Sequence, residues 1–110
     1  MTTASVDDFD ALNLRIATIV RCELHTEARD AAYKLWLDLG SEGEVQSSAK
    51  LTELYSADSL VGRQVVVVAG LGAMRVAGFR SDLLVLGVET PEGVVLLSVD
   101  GEVAPGVAVT

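Results

Sequence analysis

The sequence predicts an all-β domain: a small five-stranded Greek-key barrel with one short helix between strands 3 and 4 and short terminal extensions. Three observations predict it. Half of the 110 residues are hydrophobic, and Val (17) and Leu (15) dominate over only five aromatic residues. Val has a stiff branched Cβ that favours strands over helices. Long stretches alternate apolar and polar residues with period two, and Gly- or Pro-containing turns separate them.

The first alternating stretch is Leu12–Leu24. It sets Leu12, Leu14, Ile16, Val20, Cys22 and Leu24 on one face, with Ile19 out of step. Tyr33–Leu39 repeats the pattern, with Tyr33, Leu35, Leu37 and Leu39 facing in and Lys34, Trp36 and Asp38 facing out. Gly40–Gly43 is a turn, and Val45–Ala49 completes a hairpin with the second strand. Lys50–Val61 holds the short helix, with Ser56 as its cap, Asp58 in its first turn and Gly62 at its end. Arg63–Leu71 follows as a strand. Its Val65–Val68 run is apolar on both faces and so predicts a central, covered position. Gly70, Gly72 and Gly78 mark an open loop or wide turn. Asp82–Val88 and Val94–Val99 are the last long strands, joined through Thr90–Gly93. An apolar tail, Val103–Val109, ends the chain. Three strands, a helix and two more strands match the OB-fold. Residues 1–110 read as a single domain of about 8–109 at its core, able to bury about 65% of its unfolded surface.

The 16 acidic and 8 basic residues give a net charge of −8, which argues against nonspecific binding to polyanions. The bases are uneven, however. Ser59–Ser81 contains Arg63, Arg75 and Arg80 and no acid. No apolar run approaches the ~20 residues of a membrane span. Met1–Asp10 lacks the basic and apolar regions of a signal peptide. A lone cysteine, Cys22, and a lone histidine, His25, offer neither a disulfide nor a metal site. These features predict a cytoplasmic chain without cofactor or metal.

No catalytic motif is present: no GxSxG, P-loop, HExxH or CxxC. Gly70-Leu71-Gly72 resembles the start of a dinucleotide turn, but the third glycine position is Arg75 and no helix follows. Asp7-Asp8 reads as part of a solvated tail, His25 as a surface histidine in a polar loop, and Cys22 as a small buried hydrophobe. The outward Trp36 either stacks a base or packs against a partner or helix. Gln46, Ser47 and Ser48 can hydrogen-bond a ligand or line a barrel edge. Arg75, Arg80 and Ser81 flank a Gly-containing loop, where basic side chains can clamp phosphates or remain solvated.

Several segments together carry a family resemblance. They are the opening Asp8-Phe-Asp-Ala-Leu-Asn-Leu-Arg-Ile-Ala-Thr-Ile19, the stretch Ala-Ala-Tyr-Lys-Leu-Trp-Leu-Asp-Leu-Gly that ends at Gly40, Gln46–Ala49, Leu60–Val66 and Arg75–Gly87. In this order, over about residues 8–109, the chain resembles the tRNA-binding-domain family, and within it the CsaA-type export chaperones. The resemblance implies an OB-fold homodimer without enzymatic activity. It implies tRNA as a partner, and unfolded or precursor polypeptides for the chaperone branch. Two positions depart from the family pattern. The loop after the fourth strand usually carries a Pro and two consecutive bases, but here Met74 replaces one base. Ala17 stands where the family has glycine.

Two site readings follow. In the first, tRNA meets Arg15, Lys34, Gln46, Ser48, Arg63, Arg75, Arg80 and Ser81 through phosphate and polar contacts. In the second, polypeptide meets Trp36, Tyr55, Met74 and Phe79. Docking onto an aminoacyl-tRNA synthetase as a structural subunit is the third possibility. The apolar tail is expected to support dimerisation.

Overall fold

The computed structural model describes residues 2–110, so Met1 of the expected solvated tail lies outside the described residues. Its first element is a helix where the sequence suggested a tail: α1, Val6–Leu12. Ser5 caps it. Its side chain accepts from the Asp8 N–H, while the Asp8 carboxylate accepts from the Ser5 N–H. Such a reciprocal box satisfies two otherwise orphaned donors. Asn13, in the left-handed region at φ 52°, ends the helix. The helix docks end-on through the Gly70 N–H, which donates to the Leu12 carbonyl at 2.9 Å. No α1 residue is buried.

Strand β1, Leu14–Leu24, follows, but its inward face differs from the expected one. Ala17 and Ile19 are fully buried, whereas Val20 and Leu24 are exposed. Ile16, on the expected face, is buried as well, and Leu24, on the Cys22 side, is exposed beyond the core; the change of face between Ile19 and Cys22 comes from a β-bulge. Pairing with the next strand runs Ile19↔Leu37 and then Arg21↔Trp36, so Val20 is skipped. One extra residue reverses the in/out alternation of everything beyond it. Ile19 therefore faces the core, and after the bulge Cys22 packs against the same core.

Strand β2, Tyr33–Asp38, buries Tyr33, Leu35 and Leu37, with Leu39 just beyond it, as the alternation predicted. A single 3₁₀ turn, Gly40–Glu42, leads into β3, Glu44–Ala49. The connecting helix α2 is shorter than the expected 50–61 span. It is one turn, Ala57–Leu60, capped by Ser56 through the Ser59 N–H. Strand β4, Gln64–Val68, lies between β1 and β7 (Leu84–Val85) in a sheet of order β3-β2-β1-β4-β7. The Val65–Val68 run thus sits inside the sheet. The expected wide turn between β4 and β7 is a hairpin, β5 (Met74–Val76) and β6 (Phe79–Ser81). Ala77 and Gly78 both take positive φ at its tip (47° and 80°), the primed-turn backbone that suits a two-residue hairpin. A second hairpin, β8 (Gly87–Thr90) and β9 (Gly93–Leu96), replaces the two expected long strands.

The barrel closes where β3 meets the segment after β6. The Asp82 N–H donates to the Gln46 carbonyl at 2.7 Å, and the Ser47 hydroxyl donates to the Leu83 carbonyl at 2.9 Å. The C-terminal tail lies along the free edge of β1. The Ile16 N–H donates to the Val107 carbonyl at 3.0 Å, and the Val109 N–H to the Leu14 carbonyl at 2.9 Å. The core is Ala17, Ile19, Leu35, Leu37, Leu51, Leu60, Val65, Val67 and their neighbours.

Candidate nucleic-acid interface

Alternation puts Lys34 and Trp36 on the outside of β2 because Leu35 and Leu37 fill the barrel. Cross-strand pairing then builds two rows on that outer face. One is Arg21–Trp36–Gln46, and the other is Glu23–Lys34–Ser48. The bulge in β1 is what brings Arg21 opposite Trp36. The Arg21 guanidinium lies over the indole ring, 4.3 Å from its centroid.

The β5–β6 hairpin folds over the far side of this face. The Gln46 side-chain amide donates to the Arg80 carbonyl at 2.8 Å, which anchors the hairpin to β3. Phe79 then reaches Trp36 edge-on, with centroids 5.7 Å apart, and meets His25 at 5.6 Å. Lys34 Nζ sits 5.2 Å from the Phe79 ring centroid. His25 is buried rather than on the surface, at 3% exposure. It is held because its N–H donates to the Ala32 carbonyl and its Nδ1 meets the Ser48 hydroxyl at 3.1 Å. Among the described residues its Nε2 has no hydrogen-bond partner.

Carboxylates compensate most of these cations. Arg21 pairs with Glu23, Lys34 with Glu27 at 3.3 Å, and Arg80 with Asp82 at 2.7 Å. A hydrogen bond from Thr26, and then Lys34, hold the Glu27 carboxyl below its ordinary 4.5. Among the described residues, Arg75 pairs with no carboxylate, and its guanidinium donates to the Gly78 carbonyl at 2.9 Å. Arg75 and Arg80 are directly opposite on the hairpin, so both project from one side of it. Burial, followed by the Glu23 charge, pushes the neighbouring Cys22 thiol up to about 11.

The structure therefore brings together Lys34, Trp36, Gln46, Ser48 and Phe79, with Arg75 and Arg80 on the opposite side of the Phe79 hairpin and the exposed Met74 at its start. Four other candidates lie elsewhere. Arg15 stands at the opposite end of the β2–β3 hairpin, where it donates to the Gly106 carbonyl at 2.7 Å and pairs with Glu42 at 3.0 Å. Arg63 lies over Tyr55, 5.1 Å from its ring centroid, beside a groove of about 420 Å³ that Asp100 and Glu102 also line. Carboxylates on that groove disfavour a phosphate. Tyr55 is tied into the barrel wall, its hydroxyl accepting from the Leu96 N–H at 3.1 Å. Ser81 is buried, with its hydroxyl 3.1 Å from that of Ser47. Sequence reasoning missed Arg21 and His25. The outward alternation of Arg21 was visible, but its place beside Trp36 depends on the bulge. Nothing local distinguishes His25.

A small barrel with cations, aromatics and amides on its β2–β3 face, roofed by the β4–β7 connection, has the architecture of an OB-fold. The chain belongs to the putative tRNA binding domain family, whose model matches residues 14–108. It is 36% identical over 106 residues to the methionine–tRNA ligase of Thermotoga maritima, covering 96% of this chain and 16% of the ligase. The chain thus spans about a sixth of the ligases it matches. Among solved structures, the chaperone CsaA of Bacillus anthracis superposes with a TM-score of 0.91 at 41% identity, covering 99% of this chain and 100% of that one. The CsaA chaperone of Picrophilus torridus also gives 0.91, at 33% identity over 98% and 100% of the two chains. The resemblance to the tRNA-binding-domain family and the all-β barrel both accord with these matches.

Proposed function

We propose that this chain is a non-enzymatic tRNA-binding module that docks RNA on the outer face of β2 and β3. The observation that carries the reading is the convergence of Lys34, Gln46 and Ser48 around Trp36 and Phe79, with Arg75 and Arg80 on the other side of the hairpin that carries Phe79, in a member of the tRNA-binding domain family. Arg75 and Arg80 on the hairpin and Arg21 and Lys34 on the sheet would meet phosphates, while Gln46 and Ser48 contribute polar contacts. Each cation that exchanges its carboxylate for a phosphate releases counterions from the RNA. With four such contacts, tRNA affinity should fall about a hundredfold between roughly 50 and 200 mM salt. Lys34→Ala and Arg80→Ala should each flatten that slope. Absence of binding at the lower salt would refute the reading.

A second reading is the holding of unfolded or precursor polypeptides on the same face. The 66% exposed Met74 and 58% exposed Leu71 near the hairpin favour it. Such binding should be nearly independent of salt and carry a negative ΔCp. We further propose a homodimer. Val6, Phe9 and Leu12 form an exposed apolar stripe on α1, and Leu84, Val88 and Val95 are exposed on the barrel. Two-fold pairing of such surfaces is the commonest solution. Light scattering at micromolar concentration checks it, and a monomer mass would sink it. Among the described residues no helix is long and apolar enough to cross a membrane.

A further inference from the structure

We infer that Trp36 is a stacking site for one unpaired nucleobase, so that the RNA ligand is a single-stranded segment and not an A-form helix. The inference rests on the RNA-binding reading above and specifies what that face selects. Trp36 is the only tryptophan in the chain. Its neighbours Leu35 and Leu37, not Trp36, fill the barrel, so the indole is left on the outer wall without a core role. The aromatic edge of Phe79 abuts it at 5.7 Å, and the hairpin anchored by Gln46 holds Phe79 there. A rigid aromatic pair on the face of an OB barrel is a base platform.

Arg21 currently covers the indole, 4.3 Å from its centroid, with its other contact the exposed Glu23 carboxylate. Its side chain is 60% exposed, so the cover is held weakly and moves without disturbing the core. An exposed cation–π contact is weaker than stacking of a base on the same ring. A base therefore displaces the guanidinium, and the freed Arg21 meets the phosphate attached to that base. Gln46, directly opposite Trp36 on β3, stands beside the base edge, and Lys34, in the neighbouring cross-strand row, beside the next phosphate. A duplex keeps its bases stacked on one another and offers no free face to the ring.

The test uses the full-length chain and two readouts. Anisotropy of labelled RNA reports binding, and Trp36 emission reports stacking. The ligands are a single-stranded RNA 12-mer, the same strand annealed to its complement, tRNA, and inorganic polyphosphate as a base-free polyanion. The expected result is quenching of Trp36 by the single strand and by tRNA, and none by the duplex or polyphosphate. Trp36→Ala should weaken single-strand binding about tenfold, while Trp36→Phe keeps most of it. Trp36→Leu, which retains apolar bulk without a ring face, should behave as Trp36→Ala and guards against a folding defect. RNA binding without quenching, equal quenching by polyphosphate, or affinity unchanged in Trp36→Leu would overturn the inference while leaving the RNA-binding reading intact. No anisotropy change with any RNA would overturn both.

Discussion

The hydroxyls of Ser47 and Ser81 meet at 3.1 Å inside the seam where β3 closes against the end of β6. Both also serve the Leu83 carbonyl, Ser47 at 2.9 Å and Ser81 at 3.3 Å, and Ser81 accepts from the Ser48 N–H at 3.3 Å. Regular ladder pairing stops at this seam, so side-chain hydroxyls replace backbone partners. An unsatisfied buried carbonyl costs about 1–3 kcal/mol. Ser47→Ala leaves the Leu83 carbonyl only the longer Ser81 contact and should destabilise the fold by about 1 kcal/mol. For a domain of this size, each kcal/mol lowers Tm by about 4–8 °C. A thermal melt that superposes on the parent would show the seam to be held by other contacts.

The C-terminal tail depends on one glycine. Gly106 has φ 89°, and a Cβ there would stand 2.3 Å from the Leu39 carbonyl oxygen. Its N–H donates to the Ile16 carbonyl, and the next residue's carbonyl accepts from the Ile16 N–H. Gly106→Ala adds a collision to a left-handed backbone that alone costs about 1–3 kcal/mol. Amide exchange at Ile16 should accelerate as the tail lifts from β1, while exchange at Leu35 and Val65 stays slow. Unchanged protection at Ile16 would contradict this account.

Electrostatic compensation on the proposed RNA face predicts a gain of function. Glu27 pairs with Lys34, so under the proposed function it would compete with phosphate for that ammonium. Glu27→Gln should raise tRNA affinity about two- to fivefold at low salt, the range expected for one exposed ion pair. Because the Glu27 carboxyl is held below 4.5, it stays ionised as pH falls to about 5.5. Its pairing is lost only at still lower pH, so the gain should be equal at pH 7 and 5.5. A gain that vanished at pH 5.5 would mean that Glu27 titrates higher than its partners imply.

Cys22 should react slowly. Its thiol, pushed from 9.0 to about 11, holds its proton in the folded chain. At pH 8 the thiolate fraction is about a hundredfold lower than in the unfolded state. Iodoacetamide labelling should be correspondingly slow until denaturant is added. The sign is that of a raised pKa: the contribution to stability is present below pH 9.0 and fades as pH rises towards 11. Equal labelling rates with and without denaturant would exclude the burial described.

Much of the barrel was legible because alternation is local. Tyr33, Leu35, Leu37 and Leu39 point inward as their spacing requires, and Ser56 caps α2 as its residue type suggests. The faces of β1 were misread because a bulge needs only one uncompensated residue, and Ile19, out of step in the sequence, was its visible trace. Helix α1 escaped notice because its capping box uses Asp8 in place of the longer Glu or Gln. Glycines at 70, 72 and 78 blur the strand signal, so the sequence predicts an open loop or wide turn where the structure forms the hairpin at Ala77-Gly78.

The sequence by itself determined the strand-rich character, the helix between the third and fourth barrel strands, the inward face of β2 and the outward position of Trp36. Each follows from side-chain branching or period-two spacing within a few residues. Only the tertiary structure decided that Arg21 covers Trp36, that Phe79 abuts it, and that Arg15, Arg63 and Tyr55 belong to other surfaces. Those outcomes depend on strand register and on where a distant hairpin folds. Register is set by the whole packed barrel, which no local stretch of sequence encodes.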